Sequence, residues 1–498
     1  MGLIARQSFK AGTVTYLAAI VGLFNSTYIY PKMLSIGQLG EIQYIFSTAS
    51  LMGPILLLGL SGVLVKFFAQ VKESEYRKQL LYGLVFGVTL INVFLFLLFS
   101  YLFKDHIMQY FDDNHGFSHA TLFASICVSA IYPFVMLSLV FSSNKGRIAV
   151  PNLLLHLLKI VLPILVTCYY FDFFTFTTLI RLLVVYYGLL GVMYFWYIRK
   201  LDNFKPVFSV PEFKSSLPIK KIMNFGLFSF LGGFGAILMN QIDIQMIAPM
   251  LGSYSTGLYS WSFFIANSLA IPLTLLASIS TPLLSKFWKA NDMKELNKIY
   301  SQSSRSLLVI SVGLFTCILV GIDDLFSIMP KGEEFALAKW TVIMLCFAKV
   351  IDMAAGLNSQ ILAMSECYRY MLLFLSISVV FNVGLNALLI PIYGIEGSAV
   401  ATIVSLLIFN ILKYVLLRIK YKLYPKSLRA FIVVPIATLL YVAALSFPHF
   451  SSGIINILIF SGSTFVIYYL TAYKLKLAPE LNEFVNKQLL RLRLKPFD

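Results

Sequence analysis

Apolar runs of about 20 residues recur along the whole chain and constrain its fold more than any other feature. Each run is long enough to cross a hydrocarbon core about 30 Å thick as an α-helix. Only 12% of the 498 residues are charged, against roughly 25% in a soluble globular protein. The sequence therefore predicts an all-α polytopic membrane protein without a soluble domain.

Charged or turn-rich breaks divide these runs into fourteen candidate spans. The spans cover residues 12–31, 43–65, 80–103, 119–142, 149–170, 177–198, 222–248, 256–284, 306–326, 336–363, 370–391, 396–417, 429–447 and 453–473. The first span follows Arg6 and Lys10, as in a signal peptide, but has no clear small-residue cleavage site, so we expect it to be retained. An even number of spans places both termini on one side.

Basic residues alternate between the two sets of breaks. The breaks on the side of the N-terminus hold 32 of the 39 Lys and Arg residues, among them Lys413, while the opposite breaks hold four. Because Lys and Arg stay on the cytoplasmic side, both termini are predicted to be cytoplasmic. The net charge of +17 is then a topology signal, and it does not indicate nucleic-acid binding.

The breaks between spans hold no candidate for a metal or cofactor. The five cysteines lie in or beside apolar runs without C-x-x-C spacing, so no disulfide framework is predicted. His115 and His119 have the spacing of a helical metal pair, but Gly116 between them favours a solvated outer loop at 104–118. The tail 474–498 has the apolar spacing of an amphipathic helix on the inner surface.

Two segments repeat a common pattern, PKMLSIGQLGEIQYIF at 31–46 and APMLGSYSTGLYSWSF at 248–263. In both, a glycine follows Met-Leu by six residues, at Gly40 and Gly257, and a proline and a closing lysine come later. Such repeats are typical of transporters, whose substrate site lies between the halves. The predicted domains are a six-helix bundle at 1–199, a cytoplasmic linker at 200–221, a second six-helix bundle at 222–418, helices 13 and 14 at 419–473, and a cytoplasmic amphipathic tail at 474–498.

The clearest motif is FNVGLNALLIPIYGIEGSAVATIVS, residues 381–405, a helix hairpin broken by Pro391 and Gly394. With residues 40–69 and 243–261, it resembles the polysaccharide transporter family of the multidrug/oligosaccharidyl-lipid/polysaccharide exporter superfamily, the Wzx-type flippases of lipid-linked oligosaccharides and O-antigen. The second span departs from the family's pattern because it ends in VKFFAQ, without the usual polar or Arg ending.

This resemblance implies two bundles around a central cavity and alternating access. It implies transport of an undecaprenyl-pyrophosphate-linked oligosaccharide to the outer leaflet of the bacterial inner membrane, for lipopolysaccharide or other surface polysaccharide. Helices 13 and 14 would form a groove for the polyprenyl tail. The expected partners are this lipid, membrane lipids and other polysaccharide assembly proteins, and the expected oligomeric state is a monomer. Cofactors are not expected, apart from coupling to H⁺ or Na⁺ as an antiporter.

Intramembrane cations are the candidate substrate-binding residues. Lys349 lies three residues before Asp352 on one helix face, which fits either a self-neutralising pair or a cavity lysine that meets pyrophosphate. Lys159 lies about 15 Å deep in its span, three residues after His156, so a functional role and a buried pair are both open. Arg181, near an outer helix end, either snorkels or binds phosphate.

Asp243 is the main candidate for ion coupling, with Asp352 as a second. Asp243 has no basic residue at helical spacing, so a proton, Na⁺ or Lys349 must neutralise it. Asn240 offers a nearby amide oxygen, and Asn25 lies next to the position that the repeat aligns with Asp243.

Two other functions stay open from the sequence alone. A cation-coupled small-molecule exporter of the same superfamily would have the same architecture. A membrane glycan polymerase or glycosyltransferase would need acid and base residues on sizeable loops or at an aqueous face. Because the outer loops are short, we expect the chain not to be an enzyme.

Overall fold

The computed structural model describes residues 21–71, 73–112, 116–147, 149–202, 204–425, 428–448 and 450–491. These residues form helices and turns, and no β-strand occurs among them. The chain divides into two compact units, Met1–Gly257 and Leu258–Asp498. One long helix crosses this boundary, so the first unit also contains the start of the predicted second bundle. The predicted domain limits remain predictions.

In the first unit, a π-helical turn, Asn25–Ile29, precedes eleven helices, of which the last continues into the second unit. They are α1 (Tyr30–Met33), α2 (Ile36–Leu57), α3 (Leu60–Val71), α4 (Glu75–Leu102), α5 (Lys104–Asp112), α6 (His119–Asn144), α7 (Ala149–His156), α8 (Leu158–Tyr170), α9 (Phe176–Leu201), α10 (Val210–Ser216) and α11 (Ile219–Leu269). The predicted outer loop 104–118 is therefore partly helical, because Phe111 packs on the Tyr44 and Phe117 rings. His115 lies outside the described residues.

The second unit continues with ten further helices, interrupted by a 3₁₀ turn, Leu428–Ile432, and a π-helical turn, Ile457–Ser461. They are α12 (Ile271–Lys289), α13 (Met293–Ile328), α14 (Gly332–Ala336), α15 (Lys339–Ala354), α16 (Asn358–Met364), α17 (Tyr368–Tyr421), α18 (Val433–Ser446), α19 (Gly453–Asn456), α20 (Gly462–Lys474) and α21 (Pro479–Arg491). The helix α21 lies in the predicted amphipathic tail, and residues 492–498 of that tail lie outside the described residues.

By length and hydropathy, nine helices in the described part of the chain can cross a membrane, or eleven if each of two bent pairs counts as one span. The pairs α2–α3 and α15–α16 bend by 47° and 48°. With 51 and 54 residues, α11 and α17 are each about 80 Å long, more than twice the hydrocarbon thickness. Each changes direction at a glycine with positive φ, Gly252 or Gly394. Each is thus long enough to cross twice, and the count of fourteen stays a prediction.

Two close contacts between glycines join α2 and α3 to α11 within the first unit. At the outer glycine contact, a Cβ on Gly40 would collide with the Ser253 carbonyl oxygen and lie 2.7 Å from the Gly257 nitrogen. A Cβ on Gly257 would in turn collide with the Ile36 carbonyl oxygen. The two glycines that the internal repeat matches therefore form one contact, where backbone meets backbone without side chains between.

The inner glycine contact lies nearer the other end of the same helices. A Cβ on Gly59 would collide with the Gly226 carbonyl oxygen, and one on Gly62 would lie 2.9 Å from the Ser229 Cβ. The Lys66 ammonium lies 3.9 Å from the centre of the Phe225 ring, so a cation–π interaction adds to this contact. Small residues thus hold these helices together at two separate levels.

At the predicted inner end of the first unit, Asp202 joins three helices. Its carboxylate accepts from Lys78 on α4 at 3.1 Å and from Lys145 after α6 at 2.7 Å. Burial alone would raise the pKa of Asp202, but the hydrogen bonds from Lys145 and Lys78 outweigh burial and lower it. The carboxylate therefore stays ionised and fixes the predicted inner ends of α4, α6 and α9.

The tail helix α21 is fixed to α13 by one carboxylate. Glu480 accepts from the Arg305 guanidinium at 3.0 and 2.9 Å, a bidentate pair, and from the Ser306 hydroxyl at 3.0 Å. Asn482 also donates to the Tyr473 carbonyl oxygen on α20 at 2.7 Å. Bidentate pairing with three donors to one partly buried carboxylate is among the stronger polar contacts in proteins. The start of α21 therefore belongs to the second unit's packed structure.

The predicted topology is tested by reporter fusions at four positions. Since basic residues concentrate in one set of breaks, fusions at Asn114 and Lys331 should report the outside, and fusions at Phe208 and Lys422 the cytoplasm. Each position is fused in turn to two reporter enzymes, one active only outside the cytoplasm and one active only inside it, so that every site is measured twice. One clear inversion at any of the four sites would refute the fourteen-span scheme.

Candidate functional site

In the first unit, two predicted cavity residues are neighbours. Asn25 is buried, and its side-chain amide donates to the Lys159 carbonyl oxygen at 2.7 Å. Pro163 lies four residues after Lys159 and has no N–H, so that carbonyl lacks its usual helical partner. Asn25 supplies the missing donor from a π-helical turn, a feature frequent at functional sites. The sequence predicted both residues but not their contact.

The Lys159 ammonium lies close to Gly22, three residues before the π-helical turn. Its Nζ is 3.5 Å from the position that a Cβ on Gly22 would take. The side chain is half-buried, and no carboxylate among the described residues forms an ion pair with it. His156, three residues earlier, interacts with Lys159 only as a charge neighbour. The Lys159 ammonium therefore lies inside the first unit, and its N–H groups are available to bind an anion.

Arg181 and Asn240 are not brought into a cluster. Arg181 is exposed on α9 and makes no hydrogen bond or ion pair with another described residue. Asn240 is exposed on α11, and its amide donates to the Ala236 carbonyl oxygen of its own helix at 2.8 Å. Both positions remain predicted site residues without geometric support from the described neighbours.

Asp243 is only 2% exposed, on α11. Two residues later, the Gln245 amide donates to the Ser47 hydroxyl at 3.0 Å and the Thr48 hydroxyl at 3.1 Å. The polar residues of α11 therefore meet hydroxyls of α2 that sequence reasoning missed. The sequence signal for this contact was the adjacent pair of hydroxyl residues, Ser47 and Thr48, within an apolar run.

The second unit holds a buried polar network on α15, α16 and α17, named here the α15–α17 polar cluster. It consists of Asp352, Asn358, Ser359, Asn410 and Lys413. The Asn410 amide donates to the Asp352 carboxylate at 3.1 Å, and its oxygen accepts from Asn358 at 3.0 Å. The Lys413 ammonium donates to the Ser359 hydroxyl at 2.7 Å. Of the five residues, only Asp352 was predicted.

The location predicted for Lys413 from the sequence was wrong. It was counted in the inner break 413–429, but α17 continues to Tyr421 and the Lys413 side chain is 0% exposed. Its ammonium lies 3.9 Å from the centre of the Phe409 ring and interacts electrostatically with Asp352. The signal was the three-residue spacing of Asn410 and Lys413 in an otherwise apolar helix face.

The cluster lies where α15 breaks. The chain bends between Ala354 and Asn358, with Gly356 at positive φ, and Asn358 begins the next helix. Lys349, earlier on α15, has its ammonium 5.4 Å from the centre of the Phe263 ring. In the described part of this unit, Asp352 forms no ion pair with Lys349, and Asn410 is its hydrogen-bonding partner. The break therefore brings one carboxylate and one buried cation together within the apolar interior.

Metal binding finds no support in the described residues, since no group of three His, Cys, Asp or Glu side chains is placed to hold an ion.

Comparisons with known sequences give one family and several relatives. Residues 148–329 match the family model described as polysaccharide biosynthesis protein. The chain is similar to the probable low-salt glycan biosynthesis flippase Agl15 of Haloferax volcanii, 24% identical over 226 residues, covering 45% of this chain and 47% of that protein. It is also similar to the probable flippase AglR of the same organism, 22% identical over 38% of this chain and 40% of that protein. The chain thus spans less than half the length of either relative.

Comparisons with solved structures cover far more of the chain. The lipid II flippase MurJ, in an inward closed conformation, superposes with a TM-score of 0.73 over 93% of this chain and 98% of that chain, at 15% identity. An inward-facing multidrug resistance MATE family transporter of the MOP superfamily gives 0.60 over 82% and 94%, at 13% identity. These matches confirm the predicted all-α polytopic fold, and together with the sequence relatives they confirm the resemblance to polysaccharide flippases.

Proposed function

We propose that this chain, a multi-pass membrane protein that resembles polysaccharide flippases, transports a polyprenyl-pyrophosphate-linked oligosaccharide by alternating access. It would move this lipid from the inner to the outer leaflet of the bacterial inner membrane during surface polysaccharide biosynthesis. The observation that carries the proposal is an apolar groove between α18 and α20, the helix pair that follows the two predicted bundles. A carrier of small soluble molecules has no use for a groove that is open to lipid.

The groove has a volume of about 280 Å³ and lies toward the predicted outer ends of both helices. It is lined by small side chains, Ala443 and Ala444 on α18 and Ser463 and Thr464 on α20, and by Phe447. Such a lining suits a hydrocarbon chain, because it offers apolar surface and few hydrogen-bonding groups. A polyprenyl tail would occupy this groove while the glycan stays in a polar interior.

Two partly buried lysines would bind the pyrophosphate. Lys159 in the first unit and Lys349 in the second are both within membrane-spanning helices, where a charge is kept for a use or a partner. A pyrophosphate carries several negative charges, and ammonium groups bind phosphate oxygens by charge-assisted hydrogen bonds. Each of these lysines is thus a candidate for substrate recognition.

Charge reversal at these lysines tests the proposal. We expect Lys159→Glu and Lys349→Glu each to reduce transport to background, because a carboxylate repels pyrophosphate in a low-dielectric interior. Transport is measured with purified protein in liposomes and a fluorescent undecaprenyl-pyrophosphate-linked oligosaccharide, and surface glycan is measured in cells. Lys294→Glu, at an exposed position in the first turn of α13, is the matched control and should transport normally. Normal transport by both interior variants would refute the cationic site.

Ion coupling is proposed at Asp243. A buried carboxylate that is protonated or binds Na⁺ in one conformation and releases the ion in the other would link the gradient to transport. Asp243→Asn keeps the shape and hydrogen bonding of the side chain but cannot ionise. We expect this variant to fold normally and to lose gradient-driven transport, measured in liposomes with an imposed H⁺ or Na⁺ gradient. A variant that responds to both gradients as the wild type does would exclude coupling at this residue.

A cation-coupled exporter of small molecules is the second candidate, because the MATE transporter shares the fold over 82% of this chain. The same liposome system separates the two: an exporter would move a cationic dye and leave the lipid-linked oligosaccharide in place. An enzymatic role has less support, since the named relatives are flippases.

A further inference from the structure

A second apolar groove lies on the first unit, on three helices that the proposed function does not use. Its volume of about 560 Å³ is within the range of roughly 300–1,000 Å³ common for ligand sites. It is lined by Phe86, Leu90 and Val93 of α4, by Ala130, Ile131, Phe134 and Ser138 of α6, and by Gly188, Gly191, Val192, Phe195 and Ile198 of α9. Almost every lining group is apolar.

Glycines form the floor of this groove. A Cβ on Gly188 would meet no atom within 4 Å, and one on Gly191 would touch only the Ile131 side chain, at 3.4 Å. Other helical glycines of the first unit, such as Gly40 and Gly83, are closed in by backbone. Gly188 therefore faces unfilled space, bordered by the rings of Phe86, Phe134 and Phe195. The two glycines of α9 therefore serve to line the groove and do not allow a close contact between helices.

Along α9, the groove extends from near the predicted inner end to about 20 Å from it. Ile198 is three residues from the end of α9 and Gly188 is thirteen, which corresponds to about 5 and 20 Å. Exposed basic side chains follow at this end: Arg147 after α6, and Arg199 and Lys200 in the last turn of α9. An apolar groove with cations at its inner end is complementary to a hydrocarbon chain that carries a phosphate.

The cations at this end are not neutralised by the nearby carboxylate. Asp202 already accepts from Lys78 and Lys145. Arg147 and Arg199 form no ion pair with any described residue, and Arg147 interacts electrostatically with the Tyr197 hydroxyl beside them. Two guanidinium groups at the membrane surface are thus available for bidentate hydrogen bonds to phosphate oxygens.

We propose that this groove binds the chain of a polyprenyl phosphate from the inner leaflet, with Arg147 and Arg199 at the phosphate. The inference rests on the proposed function, because the lipid taken up from that leaflet would be the transported one. The groove between α18 and α20 lies toward the predicted outer ends, so the two grooves would serve the tail in different leaflets. The α4–α6–α9 groove is then an entry site for the substrate's lipid.

Filling the groove tests the inference. In Gly188→Leu the new side chain occupies free space, and leucine favours helix over glycine by about 1 kcal/mol, so folding should be preserved. Binding is measured by native mass spectrometry of the full chain with undecaprenyl phosphate, and separately with phosphatidylglycerol. We expect the affinity for undecaprenyl phosphate to fall about tenfold, equal to about 1.4 kcal/mol, with little change for phosphatidylglycerol. Gly188→Ala should lose less, and Arg199→Gln should weaken undecaprenyl phosphate binding alone.

The matched control is Gly384→Leu on α17, where a Cβ also meets no atom within 4 Å. It should bind undecaprenyl phosphate as the wild type does. Unchanged binding by Gly188→Leu overturns the inference, and so does an equal loss of both lipids, which would mark a general lipid-facing surface. The binding readout is independent of transport. If the wild type fails to transport the lipid-linked oligosaccharide but keeps Gly188-dependent binding, the proposed function fails and the polyprenyl phosphate site stands.

Discussion

Replacing Gly40 with leucine is expected to abolish transport and to lower the stability of the protein. At this position the backbone of α2 lies directly on the backbone of α11, and a Cβ would collide with the Ser253 carbonyl oxygen. A helix backbone cannot move aside as the end of a flexible side chain could, so the two helices must separate. Overpacking of this kind costs about 1–3 kcal/mol or more.

The measurement combines thermal unfolding of the purified protein with transport of the lipid-linked oligosaccharide. Gly257→Leu should have the same effect, because its Cβ would collide with the Ile36 carbonyl oxygen at the same contact. Gly233→Leu is the matched control, since it lies on α11 where a Cβ meets no atom within 4 Å. If Gly40→Leu unfolds and transports as this control does, the close backbone contact has no role in either property.

Asp352→Asn is expected to destabilise the second unit by about 1–3 kcal/mol. The substitution removes the carboxylate that compensates Lys413, and Lys413 is fully buried with one hydrogen bond, to Ser359, and one aromatic ring beside it. No direct ion pair joins the two side chains among the described residues, so the loss should be smaller than the roughly 3–5 kcal/mol typical of breaking a buried pair. It corresponds to one hydrogen bond to a charged group, from Asn410, and a longer-range attraction to Lys413.

The double variant Asp352→Asn, Lys413→Met should recover most of this loss, since it removes both charges and keeps the side-chain volume. Chemical denaturation of single and double variants gives the coupling energy between the two positions. The rescued variant also separates structure from function, because the sequence predicted Asp352 as a second candidate for ion coupling. Stable protein that transports normally would assign Asp352 a structural role only, and stable protein that no longer couples would support that prediction.

The fold followed from the sequence because its main determinant is local. Each apolar run must satisfy its own backbone within the membrane, so a run of about 20 residues is almost sufficient to predict a helix. The internal repeat could also be read directly, and the structure adds that its matched glycines, Gly40 and Gly257, contact each other. Sequence comparison finds equivalence between such residues, but contact between them depends on how the helices pack.

The candidate site was only partly predictable, because burial is a tertiary property. Lys413 lies near the end of an apolar run, where a lysine usually reaches the membrane surface, and only the extension of α17 to Tyr421 places it inside. The contact of Asn25 with Lys159 required Pro163 to remove a helical donor on another helix, a three-residue combination that no local pattern contains. The sequence therefore identified single charged residues within the spans, but it did not identify the residues that they contact.

The pairing of Arg305 with Glu480 has a consequence for how the chain is made. The two residues are 175 positions apart, and a ribosome that adds about 5–20 residues per second needs roughly 10–35 s to synthesise the interval. Until Glu480 emerges, Arg305 and Ser306 on α13 have no acceptor from α21. Assembly of the second unit is thus completed after insertion of most of its helices, and nascent chains stalled before residue 480 should expose Arg305 to protease.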